Sequence, residues 1–235
     1  MASSFTILDS VTPEFPSIEE AELTPNGLLA VGGNLQADTL ITAYRSGIFP
    51  WYDQESPIMW WSPDPREVLL PGDQHWSRSM RRMRRDSADA NLRITTDTEF
   101  ESVVEACSRS EKEGIWITDE MRDAYLELNR LGIAHSLEIW QKDTLVGGLY
   151  GVAAGAVFCG ESMFHRISNS SKYVFLTLAD QIFTQGFDFI DCQFETEHLR
   201  SLGTRSISRA LYQKYLTKAL LKEPVWPSVF DKNIG

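Results

Sequence analysis

Apolar and polar positions along the chain predict six short strands, at 67–70, 92–95, 134–140, 145–151, 156–160 and 187–192. Helical spacing predicts five helices, at 77–85, 99–108, 119–131, 170–185 and 206–221. In 99–108 the residues Phe100, Val103, Val104 and Cys107 recur at i, i+3, i+4, i+7 and form one apolar face. Strands and helices mixed in this way predict an α+β fold, a mixed sheet flanked by helices. The first 65 residues differ from the rest. They are rich in Pro, Gly and aromatics, with one short helix predicted from a cap at Asp38 through Arg45, stopped by Gly47. The chain around that helix reads as irregular, with frequent turn signals. The pattern predicts a small N-terminal domain over 1–65 and a larger domain over 66–235, with an irregular tail from Glu223.

Two segments carry the candidate chemistry. Residues 145–164, LVGGLYGVAAGAVFCGESMF, read as a hairpin turning at Ala153–Gly155, with glycine at 147, 148, 151, 155 and 160. Repeated glycine inside strands implies that another backbone or a ligand comes close. Glu161 follows at once, a charge beside an apolar run that needs a partner. The plain alternative is a tight hairpin with a satisfied Glu. In 187–193, FDFIDCQ, a side-chain period of two puts Phe189, Asp191 and Gln193 on one face. An acid and an amide at the end of a core strand serve each other or a ligand.

Charge refines this picture. The chain has 22 Lys and Arg against 33 Asp and Glu, a net charge of −11, which argues against a general nucleic-acid binder. Yet HWSRSMRRMRR (75–85) holds five arginines and no acid. On a helix, Arg78, Arg81, Arg82 and Arg85 share one face and repel, a cost that phosphates would offset. Three scattered cysteines (Cys107, Cys159, Cys192) in apolar settings point to reduced core thiols and a cytoplasmic protein. The four histidines show no ligand spacing, so no metal site is expected. Residues 1–16 do not read as a secretory signal, and no apolar run is long enough to span a membrane.

The motifs PNGLLAVGGNL, AYRSGIFPWY, PIMWWSPDPR, HWSRSM, EGIWIT, AHSLEIW, LVGGLYGV, FCGESMF and IDCQ, in this order, resemble the leucyl/phenylalanyl-tRNA–protein transferase family from about residue 15 to 216. The resemblance implies a GNAT-like acyltransferase domain that moves Leu, Phe and less readily Met from aminoacyl-tRNA to proteins with N-terminal Arg or Lys. It implies no cofactor, and a monomer. By the same resemblance Asp191 and Gln193 form the catalytic pair. Leu149, Phe158, Glu161, Met163 and Ile190 line the side-chain pocket. Trp51 and Trp116, with Tyr44 and Tyr125 nearby, hold the terminal adenosine, and Arg78 and Arg82 lie in the acceptor-stem cluster. On this reading Asp191 orients and polarises Gln193, which accepts a hydrogen bond from the attacking amine. Departures from the common pattern are Asn34, Leu149, His165 and Asp86, the last at the end of the Arg cluster. Two other readings are an acetyl-CoA-dependent GNAT enzyme and a non-catalytic adaptor for cationic N-termini. The first needs a glycine-rich loop for a pyrophosphate, and HRISNSSK (165–172) has none.

Overall fold

The structure is a computed structural model that describes residues 5–87, 91–108 and 117–228. The larger of its two sheets has seven strands: β5 (Arg66–Leu69), β6 (Leu92–Thr96), β7 (Ala134–Gln141), β8 (Thr144–Ala154), β9 (Val157–His165), β10 (Phe189–Gln193) and β11 (Arg205–Ile207). Their order is β11-β5-β10-β9-β8-β7-β6. Every neighbouring pair is antiparallel except β9 and β10, which run parallel. A parallel pair needs a crossover, and α5 (Ser170–Thr184) supplies it. The remaining helices are α2 (Arg78–Arg85), α3 (Phe100–Ser108), α4 (Asp119–Arg130), α6 (Glu197–Arg200) and α7 (Arg209–Ala219). The six strands and five helices expected in this part of the chain are present. The expected helix over 206–221 starts late: Arg205–Ile207 joins the sheet as β11, and Ser208 caps α7 through its side chain.

The N-terminal segment corrects the expectation of mostly irregular chain. It forms a four-stranded sheet, β1 (Thr6–Leu8), β2 (Leu28–Gly32), β3 (Phe49–Pro50) and β4 (Met59–Trp61), in the order β1-β2-β4-β3. Strands of two to five residues are too short to show alternation in a sequence. α1 (Ala37–Arg45) is the expected helix, but Gln36 precedes it without a side-chain cap. Asp38 lies instead in its first turn, where a negative charge suits the helix dipole. Trp60, Trp61, Tyr44 and Phe49 are buried, as core aromatics should be.

Two apolar clusters cover the two faces of the large sheet. One gathers α1, α3, α4, α7 and the small sheet; the other gathers α5, Met80 of α2 and the sheet's opposite face. The glycines of the hairpin are crowded by the protein itself. A methyl at Gly151 would collide with the Cys159 carbonyl and the Phe158 ring. Gly160 differs, because a methyl there would meet only the Asp191 carbonyl, 3.8 Å away. The β9–β10 ladder ends at the Asp191–Cys159 rung, while β9 continues to His165. The two central strands therefore part at Gly160, and the candidate site residues Glu161, Asp191 and Gln193 lie around that parting.

Candidate active site

Asp191 is fully buried, and burying a carboxylate is costly unless it is paired and hydrogen-bonded. Four N–H and O–H donors meet it, beside the Cys159 thiol. Arg66 Nε donates to Oδ1 at 2.8 Å and Arg66 Nη2 to Oδ2 at 2.7 Å. The Tyr212 hydroxyl donates to Oδ2 at 2.8 Å, and the Gln193 backbone N–H to Oδ1 at 3.0 Å. Arg66 is 2 % exposed, and its guanidinium lies between the Phe49 and Tyr212 rings, 4.7 and 4.6 Å from their centroids. Burial opposes its charge, but the Asp191 carboxylate outweighs burial and holds Arg66 protonated. Burial, and then the Asp191 charge, push the Tyr212 hydroxyl well above its usual range, which keeps it a donor.

Gln193 breaks the strand period that suggested its partnership with Asp191. Its φ is 57°, in the left-handed region, and the β10–β5 register shifts between Asp191 and Gln193. Asp191 thus holds Gln193 by its main chain; no hydrogen bond joins the two side chains. Gln193 Nε2 is buried and has no partner among the described residues. The next residue, Phe194, packs on Phe49 (ring centroids 5.6 Å apart) and on Trp51 (5.4 Å). Trp51 is 44 % exposed and also meets Trp61 edge-on. An open indole therefore stands one residue-contact from Gln193.

Glu161 occupies the opposite arm of the parting. The β8–β9 register shifts between Tyr150 and Gly151, so Glu161 is the extra residue of a bulge. Its Oε2 accepts from the Tyr125 hydroxyl at 2.8 Å, and that hydroxyl is 2.8 Å from the hydroxyl of Tyr44. Its Oε1 is buried without a partner among the described residues, as is the nearby Tyr150 hydroxyl. Burial raises the Glu161 carboxyl to about 7, against the lowering effect of the tyrosine hydrogen bonds. Because the folded value lies above the ordinary one, protonated Glu161 favours the fold below its unfolded pKa. That contribution disappears as pH rises through about 7. Melting temperatures of the wild type and Glu161→Gln should therefore diverge between about pH 5 and pH 8, with the wild type losing on the order of 2 kcal/mol relative to the variant. Parallel curves would mean that Glu161 keeps its charge throughout.

Of the expected pocket residues, four come together. Leu149 faces Met163 across β8–β9, and Phe158 faces Ile190 across β9–β10, all in the cluster under α5. The Glu161 carboxylate is turned instead toward the tyrosines of the other cluster. Tyr44 and Tyr125 are both buried, at 2 % and 1 % exposure, and their hydroxyls support Glu161. Trp116 lies outside the described residues. Arg78, Arg81, Arg82 and Arg85 are exposed on α2 as expected, while Arg84 folds back over Trp76 and pairs with Asp180. Asp86 pairs with both Arg82 and Arg85, which lower its pKa. The three cysteines are buried and none forms a disulfide among the described residues. Among the described residues no cluster of His, Cys, Asp and Glu is suited to a metal, and no helix is long and apolar enough to cross a membrane.

Sequence reasoning missed Arg66, Tyr212 and Phe194. A lone Arg after a Pro and a Tyr inside an amphipathic helix carry no signal of their own; only the fold brings them to Asp191.

Residues 68–217 match the family description "Leucyl/phenylalanyl-tRNA protein transferase", and residues 33–64 match its N-terminal domain. A leucyl/phenylalanyl-tRNA–protein transferase from Pseudomonas fluorescens is 52% identical over 88% of this chain and 91% of its own length. One from Azotobacter vinelandii is 51% identical over 90% of this chain and 93% of its own. The chain belongs to the leucyl/phenylalanyl-tRNA–protein transferase family. It is accordingly an aminoacyl-tRNA–protein transferase. Among solved structures, a GCN5-related N-acetyltransferase from Kribbella flavida aligns with a TM-score of 0.38 and 10% identity, over 70% of this chain and 58% of that one.

Proposed function

We propose that this transferase moves Leu, Phe and less readily Met from aminoacyl-tRNA to the α-amine of proteins that begin with Arg or Lys. The products are thereby marked for degradation in the cytoplasm. The observation that carries this reading is Gln193, held left-handed at the parting of β9 and β10 with its Nε2 buried and without a partner among the described residues. Such a donor is costly in the free protein, and a ligand that occupies the parting would satisfy it.

The reaction is ester aminolysis. The C–O bond to the tRNA ribose breaks, the amide C–N bond forms, and the amine's proton passes to the leaving oxygen. Ester to amide is downhill, so ATP, metal and cofactor are not required. What the protein supplies is attack geometry. A free α-amine has a pKa near ~7.7–8.0, so a modest fraction is neutral at neutral pH. The Gln193 carbonyl oxygen would accept a hydrogen bond from that amine and aim its lone pair. Asp191 serves by fixing the Gln193 main chain. The apolar group of Leu149, Phe158, Met163 and Ile190 suits an unbranched Cβ followed by bulk, with Glu161 at the margin. Trp51, with Trp116, would stack on the terminal adenosine. The acidic surplus of the chain would draw a cationic N-terminus. The donor test compares Leu-, Phe-, Met-, Ile- and Val-tRNA with one Lys-started peptide. The first three should transfer and the β-branched pair should not; equal use of Ile would defeat the pocket assignment.

The exposed Arg face would meet acceptor-stem phosphates. Replacing Arg78 and Arg82 together with Ala should weaken tRNA binding irrespective of sequence. The log–log salt slope should flatten by roughly 1 per lost contact. An unchanged slope would leave α2 as a solvated helix.

A further inference from the structure

We infer that Arg66 and Tyr212 are positioning residues for Gln193, acting through Asp191 as a fixed anchor and not as a proton acceptor. The inference rests on the function proposed above and adds two residues that touch no substrate.

A carboxylate offers about four lone-pair sites. At Asp191 all four are engaged, by Arg66 Nε, Arg66 Nη2, the Tyr212 hydroxyl and the Gln193 N–H. With Asp191 wholly buried, nothing remains to accept from an amine or from the Gln193 side chain. The guanidinium is itself immobilised. Its plane is held between two rings, and Nη1 donates to the Gly47 carbonyl at 3.2 Å. A planar fork held in this way fixes the plane of the carboxylate, because the two bonds are directional. The carboxylate plane fixes the direction of Oδ1, and Oδ1 holds the Gln193 N–H. A left-handed conformation is unfavourable for a non-glycine residue and persists only when its surroundings enforce it. If the anchor loosened, Gln193 would relax toward extended backbone, and its side chain would turn to the other face of the sheet.

The experiment measures single-turnover transfer from saturating Leu-tRNA to a Lys-started peptide, with Leu-tRNA affinity and melting temperature taken alongside. Tyr212→Phe keeps the ring against Arg66 and removes one donor. The rate should fall about 10-fold, as a small misplacement does, with tRNA affinity within about 2-fold of wild type and a modestly lower melting temperature, because one donor to a buried carboxylate is lost. In a Gln193→Ala background the same substitution should change the rate by less than about 2-fold, because the residue it positions is gone. Arg66→Lys, which keeps the charge and loses the fork, should show the same dependence on Gln193. An unchanged rate in folded Tyr212→Phe, or an equal loss in both backgrounds, overturns the inference. A wild type that transfers nothing overturns the proposed function as well, whereas an active wild type confines the failure to the positioning role.

Discussion

Gln193→Ala is expected to slow single-turnover transfer about 10²-fold while leaving aminoacyl-tRNA affinity and melting temperature close to wild type. Ala at φ 57° pays the same backbone cost that Gln already pays, so the turn is not penalised further. The amide that is lost has a buried Nε2 without a partner. Removing that Nε2 orphans no protein acceptor, so stability should hold. In the proposed role its value is realised only when an amine stands before it, and loss of an interaction made only in the transition state lowers turnover and not affinity. A stable, fully active variant would remove Gln193 from the chemistry. A variant whose activity loss follows a falling melting temperature would make it a structural residue.

Asp191→Asn should have the largest effect on stability, a loss of about 3–5 kcal/mol in urea unfolding. The substitution keeps the shape but leaves the Arg66 cation buried opposite a neutral amide. The amide also presents two donors where Arg66, Tyr212 and the Gln193 N–H all need an acceptor. Activity should fall with folding. A stable Asp191→Asn with normal unfolding and lost turnover would instead return Asp191 to direct handling of the proton.

That expectation could not be drawn from the sequence. The strand pattern places Asp191 and Gln193 at the end of a core strand, and the β10 register bears this out up to Asp191. The period of two then puts both side chains on one face, which is where it fails. The left-handed Gln193 lies outside strand periodicity, because Gln is not a residue that announces such a turn. Arg66 lies 125 positions before Asp191, and no local pattern registers a pairing of that range. The long strands and helices of the larger sheet were legible because each repeats its period over several residues. β1 to β4 were not, since each ends before a period is established. Packing of Trp60 and Trp61 was legible, and both are buried, but the role of the tyrosine hydroxyls was not. Tyr44 and Tyr125 show in the fold as supports of Glu161, which from sequence was a charge without a named protein partner. The helix and the exposure of Arg78, Arg81, Arg82 and Arg85 on one face of α2 were legible, because spacing and exposure have one cause: charges that cannot be buried together.

The most direct measurement is transfer itself. The full chain is incubated with radiolabelled Leu-tRNA and a peptide that begins with Lys. In parallel reactions the peptide carries an acetylated N-terminus or the Leu-tRNA is replaced by labelled acetyl-CoA. Label should appear on the free Lys-started peptide alone, without ATP or added metal, as one Leu joined to its α-amine. Label on the peptide from acetyl-CoA, or none from Leu-tRNA with the free peptide, would contradict the account.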